Sequence, residues 1–83
     1  MVKDHQEFDA TVTRVSPVGV VVDIGGADGF IDLRKHPSWW NDAEPPSVGD
    51  RLHVVVLDDS RTPPRLSALE EDIRIARRTR GEG

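Results

Sequence analysis

Two adjacent tryptophans, Trp39 and Trp40, and a set of arginines are the side chains best suited to chemistry in this 83-residue chain. An indole offers a flat face on which a planar group can stack, and tryptophan is enriched at binding hot spots. Adjacent indoles cannot easily point the same way. One is therefore expected to cover the core while the other stands partly exposed as a stacking or anchoring platform; the alternative is that both serve the core. Arginine pairs with phosphate or carboxylate through a planar fork of donors. Arg74, Arg77, Arg78 and Arg80 form an acid-free basic tail. His5, His36 and His53 lack metal-ligand spacing, so neither a metal nor another cofactor is expected. No Ser/His/Asp set or carboxylate pair stands out from the background of acids, and no phosphate-cradling loop pattern occurs. The chemistry on offer is binding, with no catalytic residues expected.

The formal net charge of -4 is not that of a generic phosphate binder, because phosphate neutralisation usually calls for a basic excess. The charge is unevenly spread. Residues 1–50 carry four Lys/Arg against nine Asp/Glu, whereas residues 51–83 carry seven against six. Attraction to a polyanion would have to be local. There is no cysteine, so neither disulfides nor thiolate sites enter the reading. The N-terminal residues are too polar for a secretory signal, and no apolar run approaches a membrane span. A cytoplasmic, monomeric, single-domain protein is expected.

The elements that would position these groups are short strands. In "EFDATVTRVS" (residues 7–16), Phe8, Ala10 and Val12 alternate with polar residues, the period-two pattern of a half-buried strand. "VGVVVDI" (18–24) forms a second strand whose interior Gly19 is expected to mark a bulge or sharp bend. There Val20, Val22 and Ile24 should point inward, leaving Val21 and Asp23 outward. "GGADG" (25–29) is a hairpin turn and "FIDL" (30–33) the third strand. A long polar connection follows, with one short helical turn expected at 38–41. "RLHVVVLDD" (51–59) and "RLSAL" (65–69) complete five strands. From about Ser67 to Arg80 the pattern is helical. Ser67 and Glu70 have capping-box spacing, acids fill the first turn and arginines the last. Leu69, Ile73 and Ala76 make an apolar stripe that should pack on the strands.

Taken in order, "TVTRV", the glycine-bearing strand ending in Asp23 and Ile24, "GGADGFI", "VGD" and "RLS" resemble the S1-type RNA-binding domain. The resemblance implies an all-β fold, a five-stranded Greek-key oligonucleotide-binding barrel, here with a C-terminal α-helix. It divides the chain into a tail (1–6), a barrel (7–69), and a helix with its basic tail (70–83). It also implies an RNA site on the face of the second and third strands, where bases stack on aromatic side chains. Val18 and Val21 stand where that family commonly has phenylalanine, and Asp32 where it often has histidine. Arg65 occupies a position that is often basic. Arg14, Lys35, Trp39 and Trp40 join Val18, Val21, Asp32 and Arg65 as candidate nucleic-acid contacts, with Arg51 and His53 expected on the same surface. Two partners are in view. Single-stranded RNA is favoured by Arg65 and the arginine tail, a protein partner by Val18, Val21 and Asp32.

Overall fold

A computed structural model describes residues 3–40 and 44–81. Five strands close into a barrel: β1 (Glu7–Ser16), β2 (Gly19–Asp23), β3 (Asp28–Asp32), β4 (Arg51–Asp58) and β5 (Arg65–Ser67). Two 3₁₀ turns, Leu33–Lys35 and Pro37–Trp39, follow β3, and helix α1 (Glu70–Thr79) ends the described fold. Asn41, the last residue of the expected 38–41 turn, lies outside the described residues, as do residues 1, 2, 82 and 83 of the expected tails. The strand order around the barrel is β1-β2-β3-β5-β4, with β4 pairing back onto β1. Every pairing is antiparallel except that of β3 with β5, which is parallel.

Alternation decides which side chains fill the barrel. Val12, Val20, Val22, Ile31, Val54, Val56 and Leu66 are at most 1% exposed. Burying each such side chain stabilises the fold by roughly 1.5–3 kcal/mol. Val55 breaks the alternation because it is buried on the outside, under Ile73 and Ala76 of α1. A strand covered on both faces reads as a continuous apolar run, which accounts for "VVV" at 54–56.

The turn between β2 and β3 is tighter than the glycine cluster implies. The Ile24 amide donates to the Ala27 carbonyl at 2.9 Å, and Gly25 and Gly26 take positive φ. Asp28 and Gly29 therefore belong to β3, opposite Asp23 and Val22. The expected bulge lies elsewhere too. Thr13 of β1 is the extra residue, between the Val12–Val22 and Arg14–Val21 pairs, and its hydroxyl donates to the Val21 carbonyl at 3.2 Å.

The capping box does not form as spaced. Two extended residues, Ala68 and Leu69, carry the chain off the barrel after Ser67, so Leu69 is the N-cap and makes no side-chain cap bond. Ser67 instead accepts from the Leu69 amide at 3.1 Å and donates to Asp72 at 2.6 Å. Asp72 also binds the Lys35 ammonium at 3.2 Å, which ties the start of α1 to the first 3₁₀ turn.

The other end of α1 is held by charge. Arg77 grips both carboxylate oxygens of Glu7, at 3.0 and 2.9 Å, and Arg80 reaches the same carboxylate and the His5 carbonyl. Across the strand pair, the His53 ring bonds Glu7 at 2.6 Å and Asp9 at 2.9 Å. Carboxylates only accept, so both ring nitrogens donate and the imidazole is cationic. Arg77 first, then His53 and Arg80, hold Glu7 far below the usual carboxylate range. Asp9 and Glu7 together raise His53 above its ordinary 6.5.

The two shifts act on opposite sides of pH. The Glu7 contribution is complete above its ordinary 4.5 and fades as acid protonates the folded form. That of His53 is complete below 6.5 and fades as pH rises through its raised folded value. Equilibrium urea unfolding across pH should show this. The stability difference between wild type and His53→Gln is expected to be flat between pH 4.5 and 6.5, to shrink above 6.5, and to shrink again in strong acid as Glu7 is protonated. Glu7→Gln should cost about 1–3 kcal/mol at neutral pH, as expected when charge-assisted hydrogen bonds are lost, and should flatten the acid limb.

Candidate nucleic-acid interface

The outer surface of β1, β2, β3 and β5 carries one continuous cross-strand row. Arg14 pairs with Val21, Val21 with Phe30, and Phe30 with Arg65. Directly opposed residues share a face, so this row alternates with the buried Val20, Ile31 and Leu66 and points outward. The Arg65 guanidinium carbon sits 4.8 Å from the centroid of the Phe30 ring, within cation–π range. Two of the sequence-derived candidates, Val21 and Arg65, thus flank an aromatic outside that set, Phe30, with Arg14 one strand further along the row. Phe30 could have been found from parity. Ile31 points inward, so its neighbour must point outward.

Two grooves meet at Arg65. One, of about 510 Å³, is lined by Val21, Phe30 and Arg65 together with the Arg61–Pro63 turn. The other, of about 430 Å³, is lined by Asp32, Arg34, Lys35, Trp40 and Leu57, with Arg65 and Leu66. Trp40 is set in place by its indole N–H, which donates to the Arg34 carbonyl at 2.7 Å. Asp32 caps the first 3₁₀ turn. Its Oδ1 accepts from the Arg34 amide at 3.0 Å and from Arg34 Nε at 3.3 Å. The Arg34 amide, then its guanidinium, hold Asp32 below the usual carboxylate range, so it is ionised at neutral pH.

The remaining candidates lie elsewhere. Val18 falls just before β2, is 68% exposed and lines neither groove; its carbonyl accepts from the Leu33 amide. Neither tryptophan covers the core, since Trp39 is 53% and Trp40 67% exposed. In a 3₁₀ turn successive side chains diverge by about 120°, and the inward position of this connection goes to His36. His36 is 6% exposed, with Nδ1 accepting from the Ser38 amide, and burial lowers its pKa. Arg51 and His53 are on the β1–β4 side, paired across to Thr11 and Asp9, and so do not share the Phe30 surface. Of the tail arginines, Arg77 and Arg80 are engaged with Glu7, Arg74 pairs with Glu70 at 3.3 Å, and Arg78 is exposed.

Among the described residues, Asp4, Asp58 and Asp59 bring three carboxylates within 4.8 Å of one another. Their hydrogen bonds account for the cluster. The Asp4 and Asp59 amides donate to each other's side chains, and Asp58 accepts from the Ser60 amide and hydroxyl. This clasp fastens the segment before β1 to the end of β4.

Comparison with known proteins places this geometry in context. The S1 RNA binding domain family matches residues 2–67. Small ribosomal subunit protein bS1 of Coxiella burnetii is 32% identical over 72 residues, a match covering 78% of this chain and 12% of that protein. The chain therefore spans a small part of that relative's length. Among solved structures, a Methanocaldococcus jannaschii protein superimposes with a TM-score of 0.67 at 19% identity, covering 84% of this chain and 96% of the other. A Streptococcus pneumoniae multidomain protein with nucleic acid binding domains gives a TM-score of 0.60 at 24% identity, over 80% of this chain and 22% of the other. At these identities the structural likenesses speak for the fold. Among the described residues no helix is long and apolar enough to cross a membrane.

Gly19 has a specific part in this surface. A methyl group there would collide with the Ile31 carbonyl oxygen and come within 2.5 Å of Phe30 Cζ. The bare backbone is what lets the Phe30 ring lie across β2. Gly19→Ala is expected to destabilise the fold by about 1–3 kcal/mol, the usual cost of overpacking. It should also shift the Phe30 ring resonances and weaken their contact with Arg65, both readable by NMR.

Proposed function

The chain belongs to the S1 RNA binding domain family, and from that membership we propose that it is a non-catalytic module binding single-stranded RNA on the outer face of β2, β3 and β5. The observation that carries the reading is the Phe30–Arg65 pair, held in strand register where the two grooves meet. Aromatic and guanidinium planes accept any base by stacking, at roughly 1–3 kcal/mol per base. Arg14 supplies charge for the backbone on one side, and Lys35, shared with Asp72, supplies less on the other. A cytoplasmic place beside a larger RNA-bearing assembly is part of the proposal, supported by the likeness to a ribosomal protein.

Binding should be weak and moderately salt-sensitive. Arg34 and Arg61 are paired with Asp32 and Asp58, and Arg77 and Arg80 with Glu7, so few cations meet phosphate at full strength. Protein docking is the second reading, favoured by the exposure of Val18 and Trp39.

An NMR titration with a mixed-sequence RNA heptamer at two salt concentrations tests the choice. Shifts are expected at Val21, Phe30, Arg65 and the Trp40 indole. Affinity should fall with salt at a log–log slope of about -1.5 to -2, as for two to three neutralised phosphates on a single strand. Arg65→Ala should weaken binding about tenfold, the equivalent of one stacked base. No shifts at low salt would defeat RNA binding and turn the search to a protein partner.

A further inference from the structure

Asp32 stands two residues from Phe30 on the same outward face of β3, and it shares the 430 Å³ groove with Arg65 and Trp40. Alternate residues on one strand face are about 6.5–7 Å apart, the scale of a nucleobase. A base stacked at Arg65 or Trp40 would therefore present an edge to this carboxylate. Only one of the two oxygens is committed. Oδ1 takes both bonds from Arg34, whereas Oδ2 has no hydrogen-bond partner among the described residues.

We propose that Asp32 makes this RNA site selective for base identity, favouring guanine and rejecting uracil. The inference rests on the RNA-binding reading above. An ionised carboxylate only accepts hydrogen bonds. The Watson–Crick edge of uracil presents one N–H flanked by two carbonyl oxygens, and both oxygens repel a carboxylate. Guanine presents N1–H beside the exocyclic N2 amine, two adjacent, nearly parallel donors, either of which can reach Oδ2, with no flanking carbonyl on the N2 side. Adenine and cytosine fall between, each with one amine next to a ring acceptor. The same charge repels phosphate, so it favours a backbone path away from the groove floor, on the Arg14 side. A negative group that weakens general affinity thereby becomes a discriminator among bases.

The test uses heptauridine, the same strand with one central guanosine, and the same strand with one central adenosine, titrated against Trp40 fluorescence in a Trp39→Phe background. The guanosine strand is expected to bind about tenfold tighter than heptauridine, the discrimination typical of a good base-edge contact. Adenosine should be intermediate. Asn caps a helical turn as well as Asp, so Asp32→Asn should keep the fold. It should bring the guanosine and uridine strands within about twofold of each other, largely by improving uridine binding. Equal affinities in the wild type, or a guanosine preference that survives Asp32→Asn, would overturn the proposal while leaving RNA binding in place. Failure of all three strands and of a mixed-sequence heptamer to bind would instead overturn the RNA reading itself.

Discussion

The parallel pairing of β3 with β5 is the constraint on which the rest depends. It consists of two register pairs, Phe30 with Arg65 and Ile31 with Leu66. The inner pair closes the core, because Ile31 and Leu66 are both fully buried and join the two edges of what would otherwise be an open sheet. Closure removes the exposed strand edges that an open sheet must otherwise protect. The outer pair follows from the same register. Once Ile31 faces Leu66, Phe30 must face Arg65 on the other surface. Stability and the candidate site are thus two sides of one pairing, and a one-residue slip would bury an arginine and expose the core.

Local charge in this protein departs from its total. Much of the acidic excess is committed within the fold. Glu7 anchors the helix through Arg77 and Arg80, Asp72 links Ser67 to Lys35, and Asp32 caps a 3₁₀ turn. Exposed charges more than about 8–10 Å apart are largely screened at physiological salt, so a ligand responds to the few groups around its own groove. Around Phe30 those groups are Arg14, Arg65, Arg61 with its Asp58 partner, and the Asp32 carboxylate two residues along β3. A net charge of -4 is therefore compatible with an anion-tolerant face, though with little long-range attraction toward it.

How much of this is legible in the sequence varies with the kind of feature. Where one periodicity rules, the reading succeeds. β1 occupies residues 7–16 as expected, and Val20, Val22 and Ile24 are buried as alternation requires. The family likeness is equally legible, because it rests on glycine and turn spacing that fold topology demands. Features that depend on long-range register are not. Nothing local to "FIDL" says that Phe30 will meet Arg65, thirty-five positions later. A strand glycine such as Gly19 can mark a bulge, a bend or a close approach, and sequence does not separate them; here it marks a close approach, and the bulge is at Thr13. Both tryptophans are exposed at the end of the Pro37–Trp39 turn while its N-cap, His36, is the buried residue of the connection, a choice invisible in composition. Arg77 and Arg80 read as available in the sequence because their partner, Glu7, lies at the other end of the chain.

The valine at 21 acquires a different meaning beside Phe30. Val21 and Phe30 are directly opposed, and opposed Cβ atoms in an antiparallel pair lie about 4.5–5.5 Å apart. A second large ring at position 21 would compete with the Phe30 ring for the space above Gly19, which is already filled to contact. Valine is wide enough to shield the β2 backbone and small enough to leave the Phe30–Arg65 stack open to the adjoining groove. The aromatic surface of this face is thus the β3 ring, packed closely over glycine and topped by a cation. The neighbouring positions set the rest of its chemistry. On β3 the next outward residue is Asp32, so a base that uses this ring meets a carboxylate at its edge, where the related family often presents a histidine. The ring and the carboxylate then face the same base, and they have to be read together.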